Sequence, residues 1–146
     1  MPTFRRKKLP HESPLWVNTD AIYFITICTT TRRQNTLCTK VTSNAIRESV
    51  LIRMNNGEWW PHLFLLMPDH VHALISFSPE TKMNTSISNW KRWLARNHGI
   101  SWQHGFFDHR LRTDESFDEK AHYIRMNPVR AGLVDSPHSW PHVWIP

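Results

Sequence analysis

The sequence predicts an α+β fold, an antiparallel sheet covered by helices. Three observations carry that reading. Apolar, β-branched runs with strand-like alternation occupy residues 21–30 and 59–77. Two stretches, 42–55 and 86–97, repeat their apolar residues at helical spacing. Their order is strand, helix, two strands, helix, strand and helix, which suits helices packed against one sheet. At 146 residues, with 40% hydrophobic and 21% charged residues, the chain has the size and balance of a single domain spanning 1–146.

Residues 1–20 carry the run Arg5, Arg6, Lys7, Lys8 with Pro10 and Pro14, and read as a basic arm and a lead-in segment. "AIYFITICTT" at 21–30 is the first strand, followed by the polar turn "TRRQNT". The first helix spans 42–55, with Ala45, Ile46, Val50, Ile52 and Met54 on its apolar side and "NNG" as its stop. Residues 59–67 and 71–77 form strands joined at Pro68-Asp69 as a hairpin. The second helix, 86–97, takes Thr85 or Ser86 as its cap. It carries Ile87, Trp90, Trp93 and Leu94 on one stripe and Lys91, Arg92 and Arg96 on the opposite face, and ends at His98-Gly99. "GFFDHRLR" is a short fourth strand, and an acidic turn opens a last helix over about 116–126. Pro128 ends that helix at Asn127, and residues 135–146 form an extended Pro/Trp-rich tail whose Trp140 and Trp144 fold back on the body. This order predicts a ferredoxin-like sheet with its helices on one face and a tyrosine on the last helix.

A charge of +6 and a pI near 9.8 favour polyanionic partners. No run is long enough for a membrane span, no apolar signal core follows the basic arm, and Cys28 and Cys38 form neither a zinc motif nor a disulfide framework. A cytoplasmic location is expected. Between 89 and 112, aromatics interleave with basic residues, the mixture that stacking on bases and neutralising phosphates requires, although some of those rings belong to the core. Candidate nucleic-acid contacts are Arg5, Arg6, Lys7, Lys8, Lys91, Arg92, Arg110, Arg125 and Arg130. Each is equally readable as a solvated surface charge.

In "MPDHVHALI", His70 and His72 stand two apart on a strand, so both imidazoles leave one face and can converge on a divalent ion. The alternative is two unrelated side chains, one in the turn and one half-buried. Tyr123 and Asn127 stand four apart at the end of the last helix, where a phenol and an amide oxygen can share a face; packing alone also explains a helix tyrosine.

"MPDHVHALI", "WQHGFFDHRLR" and "YIRMNPVRAGLV", in that order, resemble the REP-associated tyrosine transposases, relatives of the single-tyrosine insertion-sequence transposases of the HUH superfamily. The resemblance runs from Tyr23 to about Val134. It implies a DNA single-strand transesterase that recognises hairpin-forming repeats, with a 5′-phosphotyrosine intermediate. It makes Tyr123 the nucleophile, and His70, His72 and Asn127 the ligands of Mg²⁺ or Mn²⁺. The alternative is a catalytically inactive, domesticated nucleic-acid-binding module on the same fold. The resemblance also implies a monomer with the tyrosine helix folded back on its own site, which the short link from Arg112 to Ser116 suits, with a dimer exchanging that helix, as in some HUH relatives, as the other possibility. The chain departs from the family pattern at Asp69, where Asn is usual, and at Phe107, where Tyr is common. Asp69 either adds negative charge near the metal or caps the turn.

Overall fold

In the computed structural model, which describes residues 14–18, 21–112 and 114–146, alternation and periodicity become nine regular elements. They are β1 (Tyr23–Cys28), α1 (Lys40–Asn55), β2 (Trp59–Met67), β3 (His70–Phe77), α2 (Met83–His98), β4 (Phe107–Arg110), α3 (Phe117–Arg125), α4 (Asn127–Arg130) and β5 (Val143–Trp144). The sheet order is β4-β1-β3-β2-β5 and every pairing is antiparallel. The first four strands are in the ferredoxin-like order, and β5 adds an edge strand that the short apolar signal of the tail did not announce. The basic arm at Arg5, Arg6, Lys7 and Lys8 lies outside the described residues.

Because β2 and β3 are apolar at consecutive positions, both faces of the sheet require cover. On one face Ile25, Ile27, Phe64, Leu66, Val71, Ala73 and Ile75 pack against Ile46, Val50 and Met54 of α1 and Ile87, Trp90 and Leu94 of α2. On the other, Leu63, Leu65, Met67 and Leu74 pack against Ile124 of α3. The expected one-sided arrangement therefore holds for the two long helices. The tyrosine-bearing helix lies across the opposite face. A bulge lets β2 serve both layers: Pro61 pairs with Ile75 and Leu63 with Leu74, which leaves His62 as the extra residue. Its Nε2 lies 2.9 Å from Ser76 Oγ.

Beyond the start of α1, two residues early at Lys40, helix limits differ from expectation in two places, each with a local cause. α2 starts at Met83, and its N-cap is Lys82, which makes no side-chain capping bond. Met83 stands four residues before Ile87 and packs on the same core, so burial extends the helix by one turn past Thr85 and Ser86. The last helix breaks at Met126, whose N–H bonds back to His122 and Ile124, and Asn127 opens α4 instead of ending the chain's helical course. Pro128 falls in the first turn of α4, where its missing N–H costs nothing. Ser116 Oγ caps α3 by accepting the Glu119 N–H.

The tail packs back as its tryptophans suggest. Trp140 Nε1 donates to the Leu66 carbonyl at 2.9 Å, and Trp144 stacks on Phe64 at 5.9 Å between ring centres. No helix among the described residues is long and apolar enough to cross a membrane.

Candidate active site

The β1–β3 ladder pairs Cys28 with His70, Thr26 with His72 and Phe24 with Leu74. With a side-chain period of two, His70 and His72 leave the sheet on the α3 face together with Phe24 and Thr26. The two imidazole rings lie 4.7 Å apart, edge to face. His70 Nδ1 donates to Asp69 Oδ1 at 2.7 Å, because a carboxylate can only accept. His72 Nδ1 lies 3.0 Å from Thr26 Oγ1. Both Nδ1 atoms are thus engaged within the protein. With those protons on Nδ1, both Nε2 atoms present lone pairs, as oriented metal-binding imidazoles do. Burial first, then the charges of His70 and Arg130, pushes His72 down to about 3, which keeps its ring neutral.

Asp69 is a hub. Its Oδ2 accepts from Arg32 Nε at 3.0 Å and from the Arg33 N–H at 2.8 Å, while its carbonyl accepts from both the N–H and the hydroxyl of Thr29. Burial raises the Asp69 carboxyl, yet the bonds from Arg33 and His70 and the Arg32 charge bring it below the usual carboxylate range. Arg33 sits at φ +65°, a left-handed conformation uncommon for a residue with a Cβ, and the Asp69 bond holds it there.

From the opposite side, α3 lays Tyr123 over Phe24, ring centres 6.2 Å apart, and Phe24 in turn meets the edge of His72 at 5.6 Å. The chain's other tyrosine, Tyr23, packs on Phe77 in the α1/α2 core. Tyr123 is 52% exposed. The break at Met126 turns α4 back so that the Arg130 guanidinium lies 4.2 Å over the Tyr123 ring and its Nη2 donates to the Tyr123 carbonyl at 2.6 Å. A cavity of about 550 Å³ opens here, lined by Tyr123, Lys120 and Glu119 of α3, Phe24 and Thr26 of β1, and Phe107, Asp108 and His109 of β4. Glu115 braces its rim by accepting from the Arg112 N–H at 2.7 Å while lying 2.9 Å from His109 Nε2 and 3.3 Å from Lys120 Nζ. The Arg112 bond first, then His109, brings its carboxyl down to about 2.

Of the residues singled out from sequence, His70, His72, Tyr123 and Arg130 belong to one connected set. Asn127 opens α4, four residues after Tyr123, and makes no side-chain hydrogen bond among the described residues. No cluster of three or more His, Cys, Asp or Glu residues is placed to hold a metal among the described residues. Lys91 spends its ammonium on the carbonyls of Gln103 and Gly105, at 2.9 and 2.6 Å, and burial lowers its pKa. It secures the loop before β4 and, with Arg92, lines a larger cavity of about 740 Å³ that meets the first at Asp108. Arg110 and Arg125 make no ion pair among the described residues. Thr26, Phe24 and Arg32 were not foreseen. The alternation of β1 was the available signal for the first two, but only the register reveals what they face.

The chain is an α+β protein: a five-stranded antiparallel sheet with a histidine pair on one strand and a tyrosine helix across the same face. Comparison with known proteins gives its relatives. No family model matches the chain. A protein of Haemophilus influenzae provisionally named a REP-associated tyrosine transposase is 26% identical over 140 aligned positions, covering 83% of this chain and 77% of the relative. The REP-associated tyrosine transposase of Escherichia coli K12 is 25% identical over 124, covering 82% and 73%. A REP-associated tyrosine transposase solved bound to a REP hairpin shares the fold with a TM-score of 0.74 at 20% identity, covering 98% of this chain and 82% of that one. The curated homologues of this chain are thus REP-associated tyrosine transposases, the family its motifs resemble.

Proposed function

We propose that the chain is a metal-dependent single-strand DNA endonuclease and strand transferase that recognises hairpin-forming repeats and carries a 5′-phosphotyrosine on Tyr123. The observation that carries this reading is Phe24, which touches both the His72 ring and the Tyr123 ring and so joins the sheet-borne histidines to the helix-borne phenol. The homologue names, and a fold shared with a protein solved on a REP hairpin, support the DNA substrate.

The donor set, two imidazole nitrogens and one amide oxygen, fits a borderline divalent ion. His70 and His72 would each offer Nε2, and the uncommitted amide of Asn127 is the further oxygen available, with Mg²⁺ or Mn²⁺ as the candidates. When bound, such an ion polarises the scissile phosphate and offsets its charge. Tyr123 Oη attacks phosphorus in line. A P–Oη bond forms, the P–O3′ bond breaks, and the phenolic proton ends on the departing 3′-oxygen. Arg130, already over the ring, holds the phenol in place and brings positive charge to the incoming strand. A second 3′-hydroxyl reverses the step and rejoins the strand, since the phosphotyrosine conserves the phosphodiester's bond energy.

The test is incubation with end-labelled hairpin DNA and Mg²⁺ or Mn²⁺, followed by denaturing electrophoresis. A covalent protein–DNA adduct that disappears in Tyr123→Phe supports the reading. Cleavage that survives this substitution overturns it, and hairpin binding without any cleavage identifies an inactive binding module.

A further inference from the structure

Phe107 is the largest apolar side chain left without cover next to the tyrosine. It is 71% exposed on the edge strand β4, where nothing in either core accounts for it. Its position in the sheet is exact to one residue. Phe107 pairs with Thr26 across the β4–β1 ladder, and Thr26 pairs with His72 across the β1–β3 ladder. Directly paired residues share a face, so Phe107, Thr26 and His72 form one row on the α3 side, and two strand spacings, about 10 Å, separate its ends. The cavity that contains Tyr123 counts Phe107 and Thr26 of this row in its wall.

We propose that Phe107 is a stacking platform for one unpaired nucleobase of the substrate strand, adjacent to the scissile phosphate. The inference rests on the reading of the chain as a single-strand DNA transesterase and specifies what that site holds. A base lying on an exposed ring covers apolar surface on both partners, and every base offers a π face, so the platform tolerates any sequence. About 10 Å from Phe107 to the histidine end of the row is one to two nucleotides of extended strand. A base on the ring therefore leaves its phosphate near Tyr123 and the histidines.

The experiment measures binding, in EDTA so that no cleavage occurs, to a hairpin oligonucleotide carrying 2-aminopurine at successive positions of its single-stranded flank. Wild-type protein should quench the fluorescence strongly at one position. Phe107→Ala should lose that quench and bind about 5- to 100-fold more weakly, with an unchanged salt dependence because no phosphate contact is removed. Phe107→Tyr should keep both quench and affinity. An alanine variant that is folded by circular dichroism and binds and quenches like wild type overturns the proposal, as does a tyrosine variant that behaves like alanine. The parent reading fails separately, by absence of the Tyr123 adduct when metal is supplied; stacking read in EDTA does not depend on that result.

Discussion

Thr26 Oγ1 lies 3.0 Å from His72 Nδ1 across the central ladder of the sheet, so a β1 hydroxyl sets the orientation of a β3 imidazole. Thr26→Val keeps the shape and the β-branch but removes that partner, leaving the ring free to change tautomer. Outer partners of metal-binding histidines typically contribute about 10- to 100-fold in affinity. Mn²⁺ binding, followed by the electron paramagnetic resonance signal of the free ion, should weaken by about tenfold or more while the far-ultraviolet circular dichroism stays as in wild type. Unchanged Mn²⁺ affinity would exclude the orienting role.

Asp69 holds three donors on one carboxylate, and one of them fixes a left-handed residue. Asp69→Ala should therefore destabilise the fold by about 1–3 kcal/mol through the unpaired Arg33 N–H and the released loop. Asp69→Asn, which still accepts one or two of these bonds, should lose less. Urea unfolding midpoints at constant slope provide the comparison.

Tyr123→Phe removes only a hydroxyl from an exposed ring, so stability should change by less than about 0.5 kcal/mol while the covalent adduct is lost. A chelator should likewise abolish cleavage and leave hairpin binding in place. If Tyr123→Phe unfolded the protein, the hydroxyl would be structural and the adduct assay would need another variant.

Glu115 has its carboxyl lowered from 4.5 to about 2 by the Arg112 N–H, His109 and Lys120. A lowered folded-state pKa adds stability that is fully present above pH 4.5 and is lost as the pH falls toward 2. Wild type should thus melt above Glu115→Gln at neutral pH, and the difference should shrink below pH 4.5 and vanish near 2. A gap that stays constant with pH would mean that Glu115 acts through packing alone.

The strands at 59–67 and 71–77 and the helix at 42–55 were legible because burial writes a period into sequence, and the observed limits differ by two residues at most. The two-sided cover was not. An apolar run says that both faces are buried without saying by what, and α3 is too short to announce its destination. His70, His72, Tyr123 and Asn127 could be picked out by spacing and resemblance, whereas Thr26, Phe24 and Asp69 have no spacing signature of their own. The parts of Thr26 and Phe24 come from which residue pairs with which across the ladders, and that of Asp69 from the loop that folds over its carboxylate. β5 was missed because two residues carry no periodicity.

The nine residues of α3 are pinned to the sheet by one fully buried side chain, Ile124, with Phe117 and Ala121 half covered. The strands beneath are locked from both sides. Opening of the tyrosine helix therefore costs far less than global unfolding, and its amides belong to the earliest class to exchange with solvent. The element that carries the phenol is thus held by far less apolar burial than the strands that carry the histidine pair.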